Sequence, residues 1–124
     1  MDVLDIKNYR DLIVWQKAMD LVEEIYKLTN EFPRDEVFVL VNQIRRAAIS
    51  IPSNIAEGNS RKTKQDYARF LAIARGSKSE VETQIEICIR LHYLTQEQAN
   101  SVLALCEEIG KMLNRIIQKL IPNP

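Results

Sequence analysis

The residues of this sequence best able to do chemistry are a group of bases near the middle of the chain. Residues 61–80 carry six bases and two acids, whereas residues 11–31 carry five acids and two bases. At about 100° of rotation per helical residue, four of these bases fall within an arc of roughly 100°: Arg61, Lys64, Arg75 and Lys78. Such a stripe is suited to neutralising phosphates without reading base edges.

The stripe predicts contact with RNA or a ribonucleoprotein. The candidate residues are Arg45, Arg46, Arg61, Lys62, Lys64, Arg69, Arg75 and Lys78. Arg45 and Arg46 belong to this set if the second and third helices pack as neighbours. The competing interpretation is that the bases pair with the acidic first helix of the same or a neighbouring subunit, or are solvated.

Catalytic and metal-binding chemistry is poorly supported, because the residue types that it needs are scarce. His92 is the single histidine, and Ile89 stands where a Glu-x-x-His metal pair would need its glutamate. We interpret His92 as capping a helix end or packing at the rim of a bundle. The isolated glycines offer no phosphate-binding loop, and the pair of Glu82 and Glu86 is typical of a solvated helix face. The sequence predicts no enzyme, no cofactor, no metal and no small-molecule substrate.

The elements that must position the bases are helices. Apolar spacing predicts an all-α, antiparallel up-down-up-down four-helix bundle, with few turns because there are only three glycines and four prolines among 124 residues. Pro52 lies inside the second helix and should kink or split it. Gly58 should end that helix. Thr63 and Thr95 have the pattern of N-caps for the third and fourth helices.

The apolar stripes also predict the core. The first helix, over about residues 11–31, has a predicted apolar stripe of Leu12, Trp15, Met19, Val22 and Tyr26, with Leu21, Ile25 and Leu28 beside it. The second helix has Val37, Leu40, Val41, Ile44, Ala48, Ile51 and Ile55 in the same role. Cys88 and Cys106 fall on the stripes of the third and fourth helices. If these helices form an antiparallel hairpin that turns near Leu94, Cys88 lies opposite about residue 100, which is six residues, or roughly 9 Å of helix rise, from Cys106. A disulfide needs a closer approach, so we expect two buried free thiols.

The chain's length and charge set its class. With 124 residues and a formal net charge of zero, it is large enough for one domain and carries no general basic excess. The predicted division is an extension over residues 1–10 and one bundle over residues 11–121. The first seven residues lack an apolar run, and the longest apolar run, residues 37–41, is too short for a membrane span. A cytoplasmic protein without a membrane partner is the expectation.

Apolar side chains outside the core stripes predict self-association. Ile73, Ile87 and Leu91 point about 100° or more away from the centre of the core stripe of the third helix. A lone bundle does not need this surface, and exposed apolar patches usually mark an interface. An acidic first helix meeting the basic third helix of the next subunit would give a head-to-tail contact that closes a ring.

Three stretches carry a family resemblance. They are residues 14–18 (VWQKA), residues 43–58 (QIRRAAISIPSNIAEG) and residues 70–77 (FLAIARGS), together with Glu80 and Gln84. The sequence resembles, from about residue 9 to residue 120, the bacterial four-helix-bundle family that includes the 23S rRNA intervening-sequence proteins. The resemblance implies an up-down bundle that assembles into a homopentameric ring. A related branch, the accessory variability determinants of diversity-generating retroelements, works beside a reverse transcriptase and its RNA.

Two functions stay open on this basis. The first is a non-catalytic oligomeric scaffold or accessory factor that contacts RNA or a ribonucleoprotein through the basic stripe. The second is a purely structural self-assembling module that recruits a protein partner and binds no nucleic acid. The polar residues Arg45, Arg46, Asn54 and Glu57 have two corresponding interpretations: a hydrogen-bond network that fixes the second helix and the subunit register, or, for the two arginines, a surface that faces RNA.

Overall fold

The chain forms four long helices. A computed structural model describes residues 2–122, and of residues 34–37 the backbone alone. Two short 3-10 turns, Val3–Asp5 and Tyr9–Asp11, precede the helices. The helices are α1 (Ile13–Thr29), α2 (Arg34–Asn59), α3 (Lys64–Arg90) and α4 (Gln96–Leu120). The predicted all-α fold is confirmed. None of the helices in the described residues has the length and hydropathy to cross a bilayer.

The helices pack in the order in which they follow one another. α2 packs on α1 and α3, and α4 packs on α3 and α1, as in an up-down bundle. α1 and α3 therefore lie diagonally opposite, with no Cα atoms of their described residues within 8 Å of each other. The acids of α1 and the bases of α3 are consequently separated by the bundle, and the ion pairs that Lys78 and Arg69 make are with acids of α3 itself.

Local signals begin and end the helices largely where the sequence predicts. The Thr63 hydroxyl accepts the Asp66 N–H at 3.1 Å, and Thr95 with Gln98 forms a complete capping box. α2 ends at Asn59, one residue after Gly58. The helix-end role predicted for His92 takes a specific form, because this residue has a φ of 63° and follows the last residues of α3.

Pro52 neither splits nor ends α2, which continues through it from Arg34 to Asn59. Proline has no N–H to donate to the carbonyl of the residue four positions earlier. The two residues after it add side-chain bonds nearby: Ser53 Oγ donates to the Ile49 carbonyl at 2.9 Å, and Asn54 Nδ2 donates to the Ser50 carbonyl at 2.8 Å. Pro52 itself is buried, as are Ile51 before it and Ile55 after it, so core packing holds α2 together across the missing hydrogen bond.

The core confirms some predicted stripes and corrects others. The α4 stripe is buried throughout, at Val102, Cys106, Ile109, Leu113, Ile116 and Leu120. In α2 the buried stripe includes Ile44, Ala48, Ile51 and Ile55. Leu40 and Val41 are half-buried. The side chains of Asp35, Glu36 and Val37 lie outside the described residues.

The buried face of α1 agrees only in part with the predicted one, of which Leu12, Leu21 and Ile25 are in the core. Its buried residues are Val14, Ala18, Leu21, Ile25 and Thr29. Met19 and Tyr26 are exposed, and Trp15 is half-buried, where it meets the Tyr9 ring edge-on at 5.3 Å. The Arg45 guanidinium covers the Tyr26 ring at 4.3 Å. The wide apolar surface of α1 is thus divided between the core, the N-terminal extension and a side chain of α2.

Candidate nucleic-acid interface

Arg45 binds the end of α1. Its Nε donates to the Thr29 hydroxyl at 2.9 Å, and a terminal nitrogen donates to the Asn30 side-chain oxygen at 3.0 Å. The guanidinium also lies over the Tyr26 ring. These contacts join α1 to α2 and give Arg45 a structural role. Its neighbour Arg46 is exposed and lines a shallow cleft with Val39 and Ile49.

Lys78 lies across the seam between α3 and α4. Its ammonium pairs with Glu82 at 2.9 Å, and the Lys78 side chain is only 16% exposed. The lysine chain crosses Gly110 so closely that a Cβ there would stand 3.1 Å from Lys78 Cε. Lys78 is therefore poorly placed to reach a phosphate. Arg75 is exposed and lies one turn before Lys78. It donates to the Asn114 side-chain oxygen at 2.9 Å, and because this amide is uncharged, it does not neutralise the charge of Arg75.

The remaining bases gather where α2 meets α3. Arg61 and Lys62 lie in the turn between the helices, Lys64 begins α3, and Arg69 follows one turn and a half later. The guanidinium carbons of Arg61 and Arg69 both lie 4.5 Å from the centre of the Phe70 ring. We call this group, Arg61, Lys62, Lys64, Arg69 and Phe70, the α2–α3 corner.

Each of the two arginines of the corner forms an ion pair with an acid three or four residues before it in the chain. Arg61 contacts the Glu57 carboxylate, and Arg69 lies 3.6 Å from the Asp66 carboxylate. No ion pair among the described residues includes Lys62 or Lys64, both of which are exposed. The eight predicted bases thus differ in what surrounds them. Six of the eight are exposed: the four bases of this corner, Arg46 and Arg75.

Phe70 was not among the predicted site residues. Its spacing put it on the core stripe of α3, with Tyr67 and Ala74, and those two residues are indeed buried. Phe70 is only partly buried. Because Phe70 directly follows Arg69, the sequence could have indicated a cation–aromatic contact between these two residues. The contact between Phe70 and Arg61 could not be read from the sequence, because it depends on the turn that brings α2 and α3 together.

The residues predicted for self-association lie on the surface. Ile73, Ile87 and Leu91 are 43%, 40% and 51% exposed. Their exposure agrees with the predicted position outside the core. Sequence reasoning missed two more exposed apolar residues near the start of α2, Phe38 and Val39, at 65% and 68%.

Other titratable groups do not assemble into a reactive centre. Burial raises the pKa of the Cys88 thiol to about 11 and that of Cys106 to about 12, so both stay protonated at neutral pH. Both are free and buried, as predicted. Among the side chains that the structure describes, in residues 2–33 and 38–122, no cluster of His, Cys, Asp and Glu could hold a metal ion.

A cleft of about 760 Å³ lies between the N-terminal extension, α1 and the end of α4. Its lining is mainly aliphatic, with Val3, Ile6 and Met112 among the contributors. Among the described residues that form this cleft and the shallow cleft at Arg46, there is no serine, cysteine or histidine. The described linings therefore contain no serine or cysteine paired with a histidine.

The fold and its surface define a small helical-bundle protein with a basic corner and an apolar outer face. Residues 10–115 match the family described as 23S rRNA-intervening sequence protein, and the chain belongs to that family. A solved structure from Bacteroides thetaiotaomicron VPI-5482, described as a protein with unknown function from the S23 ribosomal protein family, is 34% identical. The match covers 86% of this chain and 99% of that one, with a TM-score of 0.77. A comparison with curated proteins gives no match.

Proposed function

We propose that this protein is a non-catalytic, self-associating module that contacts RNA through the α2–α3 corner. The observation that carries the proposal is the distribution of the bases. Arg45 and Lys78 have intramolecular partners, whereas Lys62 and Lys64 are exposed beside two arginines held on one ring. Phosphates are the ligand that such a concentration of cations on a neutral protein fits best. Arg46 and Arg75 are secondary candidates.

The test of RNA contact is affinity measured against salt. Each cation lost from a single-strand interface should lower the slope of log K against log salt by about 0.7. We expect Lys62→Glu with Lys64→Glu to weaken binding at low salt and to flatten that slope. Lys111→Glu is the control for charge reversal outside the corner, because Lys111 is exposed on α4, where it pairs with Glu107.

The opposite outcome is also informative. Negligible binding at low salt, or a slope that is the same in the double variant and in Lys111→Glu, would overturn RNA contact. The remaining function would then be the self-assembling module that recruits a protein partner. The exposed apolar residues at the start of α2, Phe38 and Val39, support that second candidate.

Self-association rests on the exposed apolar face of α3, and the family resemblance supports a homopentamer of the 14.4 kDa chain. Sedimentation should give a mass several times that of one chain. Ile73→Glu with Ile87→Glu should reduce it towards the monomer, because a buried carboxylate without a partner opposes association. Ile121→Glu is the control, since Ile121 lies just after α4, outside α1 and α3, and is 42% exposed, much as Ile73 and Ile87 are. A wild-type protein that stays monomeric at high concentration would refute the assembly.

A further inference from the structure

The α2–α3 corner holds two planar cations in fixed positions. Arg61 and Arg69 each place the guanidinium carbon 4.5 Å from the Phe70 ring centre. Contact with an aromatic face orients a guanidinium as a plane rather than as a freely rotating charge. The two side chains nevertheless remain 37% and 58% exposed. Each guanidinium therefore keeps surface available to a ligand.

Packing holds the ring that carries them. A Cβ placed on Gly58 would stand 3.0 Å from Phe70 Cβ, so the end of α2 fits closely against the base of this side chain. The base of the Phe70 side chain therefore lies directly against the end of α2. The two acids, Glu57 and Asp66, add a second restraint on the guanidinium groups.

The same two acids give the arginines of the corner a different role from its lysines. Glu57 and Asp66 already offset the charges of Arg61 and Arg69, which leaves these residues less to gain from a phosphate. Lys62 and Lys64 flank the cap residue Thr63 and have no ion-pair partner among the described residues. The corner accordingly presents two stacking surfaces beside two free point charges.

We infer that the RNA bound at this corner is single-stranded, with unpaired bases stacked on the guanidinium planes of Arg61 and Arg69 and phosphates at Lys62 and Lys64. The inference rests on the RNA contact proposed above. Unpaired bases stack on aromatic rings and on arginine planes, whereas a duplex hides its base faces within its own stack. Single strands offer both of the chemical groups that the corner fits, and duplexes offer only the phosphates.

The experiment compares three 12-nucleotide ligands by fluorescence anisotropy: an unstructured single-stranded RNA, a duplex of the same length, and a strand in which abasic sites replace the central bases. We expect the single strand to bind about tenfold more tightly than the other two, since stacking contributes per base. The abasic strand keeps the phosphates, so its weakened binding reports the bases alone and needs no protein variant.

Charge-preserving variants identify the residues. Arg61→Lys and Arg69→Lys keep the cation and lose the plane, so each should weaken single-strand binding about fivefold while leaving the salt slope and the duplex affinity unchanged. Arg90→Lys, the same change at an exposed position in the last turn of α3, should have no effect.

The outcomes separate the two proposals. Equal affinity for all three ligands, with both lysine variants unaffected, would overturn stacking and leave RNA contact standing. Absence of binding by every ligand at low salt would remove both.

Discussion

The hydroxyl oxygens of Ser50 on α2 and Ser77 on α3 are 2.9 Å apart, within hydrogen-bonding distance at the largest helix interface of the bundle. Ser77 is buried, and Ser50 Oγ also accepts from Asn54 Nδ2 at 2.9 Å. This chain of three polar side chains fixes the level at which α2 and α3 pass one another.

Removing the Ser77 hydroxyl should therefore destabilise the protein. Ser77→Ala deletes one buried hydrogen bond and should lower the free energy of unfolding by about 1 kcal/mol, as measured by urea denaturation. Ser79→Ala, at an exposed position on the same helix, is the control and should cost less than about 0.5 kcal/mol. Equal losses in the two variants would show that the bond between helices contributes nothing.

Two glycines give opposite predictions for the same substitution. At Gly58 a Cβ would meet Phe70 Cβ and Tyr67 Cδ1, both at 3.0 Å, so Gly58→Ala should cost about 1–3 kcal/mol. At Gly76 a Cβ would find no atom within 4 Å, so Gly76→Ala should stabilise α3 by about 0.5–1 kcal/mol. Thermal unfolding of the two variants measures both signs. A stabilised Gly58→Ala would contradict the close packing at the corner.

The adjacent arginines Arg45 and Arg46 should behave differently. Arg45→Ala removes two hydrogen bonds to α1 and the contact with Tyr26, and should cost about 1–3 kcal/mol of unfolding free energy. Arg46→Ala should change it by less than about 0.5 kcal/mol, because Arg46 is exposed. Denaturant titrations that rank the two the other way would refute the structural role of Arg45.

The buried thiols predict a loss of stability in alkali. In the unfolded chain a thiol ionises near pH 9, while Cys88 and Cys106 in the folded state keep their protons to about pH 11 and about pH 12. Between these values the folded state binds more protons, so the free energy of unfolding should fall as the pH rises, by on the order of 2 kcal/mol for each thiol by pH 11. Tyr67, whose pKa burial also raises, adds to the decline above pH 10.

The control for this pH dependence is Cys88→Ala with Cys106→Ala. That variant loses some packing at neutral pH, but its stability should decline less steeply between pH 9 and pH 11. An identical slope in the two proteins would exclude the thiols as the cause. Tyr67 is unchanged in both, so its contribution cancels in the comparison.

His92 occupies a backbone conformation that favours glycine. Its φ is 63°, and the turn bonds around it, Tyr93 N–H to the Cys88 carbonyl and His92 N–H to the Ile89 carbonyl, are those of a Schellman cap. His92→Gly should stabilise the protein by about 0.5–1 kcal/mol, because the relief of strain exceeds the added chain entropy. His92→Val should destabilise it by a similar amount, since β-branched residues avoid this region. Thermal unfolding that placed the two variants in the reverse order would contradict the cap.

The sequence could predict most of the fold, because helix ends and strongly one-sided stripes are local properties. Thr95 with Gln98, and the α4 stripe from Val102 to Leu120, depend on neighbours within a few residues. The buried face of α1 could be predicted only in part, because its apolar residues cover nearly half of its circumference. Which of them enter the core is decided by distant groups, as Tyr9 meeting Trp15 shows.

The candidate site was predictable in composition and not in arrangement. The positions of all eight bases can be read from the sequence, but their partners depend on side-chain direction and on helix packing. Lys78 reaches over Gly110 of α4, and Arg45 reaches the end of α1. The stacking of Arg61 on Phe70 needs the turn between α2 and α3 to be closed.

The proline inside α2 gives this helix a boundary for local opening. The N–H missing at Pro52 removes one rung of the backbone ladder, so amide protons before and after it need not exchange with solvent as one cooperative unit. α3 packs along α2, with Ser77 on Ser50 just before the boundary and Tyr67 against Gly58 beyond it. We therefore expect α3 to protect both parts of α2 from exchange, with α1 adding protection to the part before Pro52 through Arg45, and disturbing α3 should release the two parts separately.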